Sequence, residues 1–86
     1  MRLKAKRDLT ETSIKEGLEA SGYSVMRVSQ GGLLDLFVCK DGKAWLVECK
    51  SKGGKLTPAQ EKFIASWTGC PVIVAKTLEE VLDKIG

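Results

Sequence analysis

Three residues, Asp35, Glu48 and Lys50, have the types and the spacing to form a metal-dependent hydrolytic centre. Between the two carboxylates, Asp41-Gly42 separates two apolar runs, a strong signal for a two-residue hairpin turn. With that turn, Asp35 falls directly opposite Glu48. Directly opposed residues have Cβ atoms about 4.5–5.5 Å apart, a distance at which like charges are destabilising. The hairpin therefore brings together two carboxylates whose repulsion must be compensated by another group.

The surroundings of these two carboxylates sharpen the conflict, because apolar residues occupy both faces of the hairpin. They are Leu34, Leu36, Phe37, Val38, Trp45, Leu46 and Val47. Two carboxylates in a covered hairpin require a cation, or one must stay protonated. A divalent metal meets this requirement, and Lys50, two residues after Glu48 on the same strand face, could stabilise charge on a reacting phosphate. A structural ion pair that only fixes the strand register is the alternative.

Glu11 and Gln60 are weaker candidates, and each has two interpretations. Glu11 shares a helix face with the apolar Ile14 and Leu18, so its carboxylate could point inward and complete a metal site. It could equally form a capping box with Asp8. Gln60 follows Thr57 at capping-box spacing, yet a glutamine in that first turn could also reach the site. The residues alone leave both questions open.

Composition narrows the chemistry further. The chain has no histidine, and its three cysteines lack the spacing of a zinc site. This excludes or nearly excludes zinc fingers, histidine acid–base catalysis and Ser-His-Asp triads. A metal would have to be held by oxygen ligands, which points to Mg²⁺, Mn²⁺ or Ca²⁺. No apolar run approaches the roughly 20 residues of a membrane span, and no signal peptide is visible.

The net charge of +3 is a mild indication of an anionic partner, and its distribution says more. Residues 1–7 form a basic N-terminal arm without acids, and a second basic cluster follows Glu48. Basic segments often contact phosphates, although solvated surface is the simpler interpretation. The candidate DNA-binding residues are Lys4, Lys6, Arg7, Lys52 and Lys55.

One α/β domain spanning residues 1–86 must position these side chains. Helical periodicity covers residues 9–21, with Gly22 as a C-cap, and strands are predicted at 23–28, 33–39 and 44–50. Thr57-Pro58 opens a second helix to about Trp67. A short strand at 72–75 and a helix from Thr77 to Ile85 follow, with Glu80 in a capping box. The predicted order is α-β-β-β-α-β-α, with a central four-stranded mixed sheet flanked by helices.

A family resemblance rests on three strings, and it covers roughly residues 10–82. Gly32-Leu-Leu-Asp35-Leu, Glu48-Cys49-Lys50 and Gly54-Lys55-Leu56-Thr57-Pro58-Ala59-Gln60 together resemble the VRR-NUC (virus-type replication-repair nuclease) branch of the PD-(D/E)XK superfamily. Glu11 matches a family glutamate near the start of the first helix. The Asp…Glu-x-Lys pattern alone is common, but the following Gly-Lys-Leu…Gln run makes it specific. Leu34 stands where the family has proline, while the ligand positions are kept.

The resemblance implies a restriction-endonuclease-like fold and a Mg²⁺ or Mn²⁺ ion bound by Asp35, Glu48 and the backbone carbonyl of Cys49. Glu11 would be an additional candidate ligand. It also implies that Lys50 acts at the attacking water, and that Glu11 and Gln60 support the active site. Stand-alone members this short resemble phage or prophage proteins and dimeric Holliday-junction resolvases. The expected setting is accordingly the cytoplasm of a bacterial or phage-infected cell.

The leading hypothesis is therefore a metal-dependent, structure-selective DNA endonuclease that works as a two-fold homodimer on four-way junctions. Candidate interface parts are Trp45, Trp67 and the strand 72–75, each of which could equally be core. A catalytically silent DNA-binding module of the same fold is one alternative, although it would have no reason to keep opposed carboxylates. A monomeric flap or branched-DNA nuclease is another, and a domain whose ionic cluster only fixes the strand register is the third.

Overall fold

A computed structural model describes residues 2–28, 34–50 and 54–85, and for residues 2–9 it describes the backbone alone. The elements are α1 (Arg2–Ala20), β1 (Ser24–Arg27), β2 (Leu36–Lys40), β3 (Lys43–Cys49), α2 (Pro58–Ser66), β4 (Val72–Ala75) and α3 (Leu78–Ile85). The strands form one sheet in the order β1-β2-β3-β4. The first three strands are antiparallel neighbours, and β4 runs parallel to β3. The predicted α-β-β-β-α-β-α order and mixed sheet are confirmed.

The hydrophobic core lies on one face of the sheet. Leu36, Val38 and Val47 point to this face from β2 and β3, and each is fully buried. Helices α1 and α3 cover it with a small set of apolar side chains, which are Ile14, Leu18 and Val81. Strand periodicity sends Leu46 and Glu48 to the opposite face, where the first turn of α2 meets the sheet through Gln60. The core face thus holds the fold together and leaves the other face for polar groups.

The turn between β2 and β3 is the predicted two-residue hairpin. Asp41 and Gly42 have φ angles of 54° and 82°, the left-handed values that a type I′ turn requires at both central positions. Lys40 pairs with Lys43, and the same register continues to Leu36 and Val47. Along β2 the strand pattern therefore gave the correct register.

The first helix departs from the prediction. It begins at Arg2 instead of residue 9, so the basic segment 1–7 is the first part of α1 over the described residues and not an extended arm. A helix that starts there cannot use Asp8 and Glu11 as a capping box. The side chains of Lys4, Lys6 and Arg7 lie outside the described residues, as do residues 29–33 and Lys52.

Candidate active site

The candidate site lies where β3 ends and α2 begins, and Glu48 is at its centre. This carboxylate is only 1% exposed. Its Oε2 accepts a hydrogen bond from Gln60 Nε2 at 2.8 Å and lies 3.0 Å from Lys50 Nζ. Its Oε1 is buried and has no hydrogen-bond partner among the described residues. Because a buried acceptor without a partner is costly, this oxygen is the open position of the site.

The sequence left open whether Gln60 caps α2 or reaches the site, and the structure shows that it does both. Its Oε1 accepts from the Thr57 amide at 3.0 Å, and the Thr57 hydroxyl accepts from the Gln60 amide at 3.1 Å, which completes the capping box. The same Oε1 accepts from Lys50 Nζ at 3.0 Å, while Nε2 donates to Glu48. The cap therefore fixes the orientation of the amide, and the oriented amide holds both charged groups.

Lys50 bridges these partners and keeps one side open to solvent. Its ammonium touches Glu48 and Gln60, and 16% of its side chain remains exposed. Its backbone amide donates to the Ala75 carbonyl at 2.9 Å, so β4 holds the chain at this point. The predicted placement of Lys50 beside Glu48 is what the structure shows.

Asp35 is buried next to this cluster, but it does not lie in the predicted register. The last described β2–β3 pair is Leu36 with Val47. The Asp35 carbonyl accepts from the Val28 amide after β1, whereas the Asp35 amide donates to the Val47 carbonyl in β3 at 3.2 Å, although both groups of a residue in a regular antiparallel strand face the same neighbour. The Asp35 carboxylate instead accepts from the Cys49 amide at 2.8 Å. The expected pair of Asp35 with Glu48 is therefore not among the β2–β3 pairs of the described sheet. The backbone slips by one hydrogen bond before the strand begins, as a bulge would make it do.

Glu11 faces inward, as its helix face predicted, but its partner is an arginine. Its Oε2 lies 2.8 Å from Arg27 Nε, and Arg27 Nη2 donates to the Thr12 hydroxyl at 2.8 Å. The sequence analysis placed position 27 within the strand predicted at 23–28 and gave Arg27 no role. The available signal was a cation on the inward face of one element opposite an anion on the inward face of another. Among the described residues, no three acidic, cysteine or histidine side chains lie close enough to hold one metal.

Cys49 lies between these acids, and its thiol is not a nucleophile. Burial raises the pKa of the Cys49 thiol, and the negative charges of Asp35, Glu11 and Glu48 raise it further. The thiol stays protonated at neutral pH, whereas a nucleophilic cysteine needs the thiolate.

The donor atoms in the site suit a hard divalent cation. Two buried carboxylates and the backbone carbonyl of Cys49 supply only oxygen, and no described residue hydrogen-bonds to the buried Glu48 Oε1. Oxygen ligands are those that Mg²⁺ and Mn²⁺ prefer. This set contains two acidic side chains and uses no third, so it agrees with the described geometry.

Of the DNA-binding candidates, only Lys55 has a described side chain, and it is exposed just before α2. No helix in the described part of the chain is both long and apolar enough to cross a membrane.

Comparisons with known proteins complete the description of the site. No model of a known family matches the chain, and no curated protein matches it. A solved structure described as "VRR_NUC domain" aligns with a TM-score of 0.70 and 28% sequence identity, over 91% of this chain and 91% of that one. The similarity supports a nuclease-type domain. The motifs and the fold thus agree, and both support a VRR-NUC-type domain with the restriction-endonuclease-like fold.

Proposed function

We propose that the protein is a divalent-metal-dependent endonuclease that hydrolyses phosphodiester bonds in DNA. The observation that carries the proposal is Glu48, whose carboxylate is buried with one oxygen held by Lys50 and Gln60 and the other without a partner among the residues that the structure describes. A residue kept only for a structural ion pair would be expected to satisfy both oxygens, because an unsatisfied buried acceptor costs about 1–3 kcal/mol. The open oxygen is better explained by a ligand.

The charges at the site support a cation as that ligand. Asp35 and Glu48 are both buried, and Lys50 is the cation that the structure places on Glu48. Burying a carboxylate such as Glu48 costs free energy unless its charge and its hydrogen-bonding capacity are met, and a cation at Oε1 would meet both. We propose that Asp35, Glu48 and the backbone carbonyl of Cys49 hold Mg²⁺ or Mn²⁺. Such an ion polarises the scissile phosphate and lowers the pKa of a bound water.

Lys50 supplies the positive charge that the chain itself contributes to the reaction. An ammonium has three donors, and the structure commits this one to Glu48 Oε2 and Gln60 Oε1. The remaining direction is open to solvent, where it can donate to the attacking water or to the phosphate as negative charge develops. Gln60 positions both Lys50 and Glu48, so the charge is already in place before the substrate arrives.

Contacts to the phosphate backbone of DNA would come from the end of the sheet that carries Glu48. Helix α1 runs with its C-terminal end toward the start of β1, because the Tyr23 amide donates to the Leu18 carbonyl. Its other end, which carries Lys4, Lys6 and Arg7, therefore extends past the end of the sheet where Glu48 lies. At 1.5 Å per residue, the residues before Glu11 extend the helix by roughly 13 Å. We propose that these basic residues, together with Lys52 and Lys55, contact phosphates on either side of the cut.

Cleavage assays test the catalytic proposal directly. Supercoiled plasmid and labelled branched oligonucleotides should be nicked in Mn²⁺ or Mg²⁺ and left whole in EDTA. Glu48→Gln should abolish cleavage and leave DNA binding intact, whereas Glu16→Gln, on the exposed face of α1, serves as the matched control and should cleave normally. Normal cleavage by Glu48→Gln would refute the assignment. Binding by the wild type with no cleavage in either metal would favour a silent DNA-binding module.

Thermal unfolding tests metal binding independently of activity. At 100 times its dissociation constant, a metal that binds only the folded state contributes about 2.7 kcal/mol. For a domain of this size, that corresponds to a rise in Tm of roughly 10–20 °C. Wild type and Glu16→Gln should both show the rise with Mn²⁺, and Glu48→Gln should not. An equal response in all three proteins would place the metal elsewhere.

We further propose a two-fold symmetric homodimer that cuts opposite strands of a four-way junction. A junction has two equivalent arms, which an isologous dimer with two sites matches. Of the interface parts that the sequence suggested, Trp45 is buried in the core and packs against Tyr23. Trp67 is 40% exposed, and β4 is an edge strand of the described sheet, so these two are the better candidates.

Analytical ultracentrifugation of wild type and Trp67→Ala tests the assembly. The apparent mass of the wild type at micromolar concentration should be twice the 9.4 kDa monomer mass, and that of Trp67→Ala should be closer to the monomer mass. A monomeric wild type that nicks flaps and leaves four-way junctions whole would instead indicate a monomeric branched-DNA nuclease.

A further inference from the structure

We infer that Arg27 binds a phosphate of the substrate DNA, and that Glu11 and Thr12 hold its guanidinium in position for this contact. The inference rests on the proposed nuclease function and adds a substrate-binding residue to it. It also gives Glu11 a different role from the metal ligand that the family resemblance implied. Glu11 becomes a positioning residue that acts through Arg27.

The contacts of Arg27 are unusual for a residue that is half exposed. Its Nε lies 2.8 Å from Glu11 Oε2, and its Nη2 donates to the Thr12 hydroxyl at 2.8 Å, so two neighbouring residues of α1 fix the plane of the guanidinium. An arginine carries five N–H donors, and the contacts with described residues leave several of them unused. The side chain is nevertheless 51% exposed. A guanidinium whose orientation is fixed and whose outer edge is open has the geometry for phosphate recognition.

The position of Arg27 in the sheet connects it to the catalytic end. It is the last residue of β1 and pairs with Leu36 at the start of β2. The next residue, Val28, donates its amide to the Asp35 carbonyl at 2.8 Å. Arg27 therefore stands beside the strand that brings in Asp35, at the end of the sheet where β3 brings in Glu48. DNA lying across this end would pass over its exposed edge.

A purely structural role explains this arrangement less well. Arg27 is half exposed, so its ion pair with Glu11 is partly screened by solvent and contributes little to stability, while holding the arginine still opposes that gain through lost side-chain entropy. The Lys15–Glu19 pair provides a comparison at a similar 2.9 Å, but it joins two residues of α1 one turn apart. Arg27 instead links two elements and has a second bond that fixes its orientation. Such preorganisation lowers the entropic cost of binding a ligand.

DNA binding as a function of salt tests the inference. Affinity for a labelled duplex would be measured in EDTA, so that no cleavage occurs, for wild type, Arg27→Gln, Arg27→Lys, Glu11→Gln and the control Lys43→Gln. Lys43 is exposed beside the hairpin turn, at the opposite end of the sheet, and its substitution removes the same charge. The logarithm of affinity falls linearly with the logarithm of salt concentration, and loss of one phosphate contact should reduce the absolute value of this slope by about 0.9. Arg27→Gln should show this decrease, and Lys43→Gln should keep the wild-type slope.

The two remaining variants separate positioning from charge. Arg27→Lys keeps the cation but not the planar fork, so it should keep most of the slope and bind more weakly than wild type. Glu11→Gln keeps Arg27 and should leave the slope unchanged. In cleavage assays of wild type and Arg27→Gln, the substitution should raise KM more than it lowers kcat.

An unchanged salt slope in Arg27→Gln would overturn the inference, and equal losses of Tm in Arg27→Gln and Glu11→Gln would then identify a structural ion pair. The outcomes separate this inference from the proposed function. A wild type that cleaves DNA, with a wild-type slope in Arg27→Gln, refutes only the role of Arg27. A wild type that binds but never cleaves, with a lower slope in Arg27→Gln, refutes only the nuclease assignment.

Discussion

The hairpin of β2 and β3 has two ends, and different kinds of interaction fix them. At the turn end, Asp41 and Gly42 take the two positive φ angles of a type I′ turn, and Lys40 pairs with Lys43. Everything needed there lies within four consecutive residues. Local turn chemistry therefore determines this end.

At the open end, residues distant in the sequence meet. The regular register stops at Leu36, and the Asp35 carboxylate is held by the Cys49 amide. Glu48 is held by Lys50 and by Gln60, which comes from another element and is itself fixed by the cap of α2. The open end thus depends on tertiary contacts that bury charge. This difference is the reason for which we propose the active site at the open end and not at the turn.

The largest effect on cleavage is expected when an aspartate is replaced by asparagine at the open end of the hairpin, and the same substitution at the turn end provides the control. Asp35→Asn removes a buried charge at the open end and keeps an oxygen that can accept from the Cys49 amide. Asp41→Asn makes the same change at the turn, where asparagine tolerates a positive φ. Cleavage should fall at least about 100-fold in Asp35→Asn, because losing groups that merely support a metal ligand already costs about 10–100-fold. Asp41→Asn should cleave like wild type, and plasmid-nicking rates would measure both.

DNA binding completes this test. Asp35→Asn should bind duplex at least as tightly as wild type, because it places less negative charge near the phosphates. If Asp35→Asn and Asp41→Asn cleaved at the same rate, the two ends would not differ in function and the assignment of Asp35 would be wrong.

An intermediate effect is expected at Gln60, where the cap and the site share one side chain. Thr57→Ala removes the capping hydroxyl and should cost about 1 kcal/mol of stability, with cleavage largely kept. Gln60→Ala also leaves Glu48 and Lys50 without their amide partner. A buried group that loses its partner costs about 1–3 kcal/mol, and loss of a supporting partner lowers activity by about 10–100-fold.

Urea unfolding and cleavage rates, measured together for both variants, separate the two roles of Gln60. If Gln60→Ala lost only as much stability as Thr57→Ala and cleaved at the same rate, its amide would serve the cap alone.

The two ends also show what the sequence could and could not predict. The turn, the register along β2 and the position of Lys50 beside Glu48 follow from strand period and turn residues, and the structure confirms them. The inward face of Glu11 follows from its spacing to Ile14 and Leu18. These are short-range patterns, and they were read from a few neighbouring residues.

What the sequence missed depends on contacts between elements. Arg27 could be placed on a strand face, but nothing local pairs it with Glu11, which lies sixteen positions away. The slip at Asp35 follows from where its carboxylate finds an amide, and that amide belongs to β3. The two competing interpretations of Gln60 could not be separated because one side chain serves both. The catalytic roles of these residues remain predictions.

The smallest effect is expected for substitutions of Gly42 in the turn, which should lower stability slightly and leave cleavage unchanged. A Cβ added there would meet no atom within 4 Å, so any loss of stability must come from the positive φ of 82° and not from a clash. Left-handed backbone costs an ordinary L-residue about 1–2 kcal/mol, and asparagine tolerates it better because its side chain can bond locally. The free energy of unfolding should therefore be highest in the wild type, lower in Gly42→Asn and lowest in Gly42→Ala. Cleavage at a temperature where all three proteins are folded should be equal, because the turn lies at the far end of the strands from Glu48. A fall in cleavage that followed the fall in stability would mean that turn geometry is transmitted along β3 to the carboxylates, and that the two ends of the hairpin are not independent.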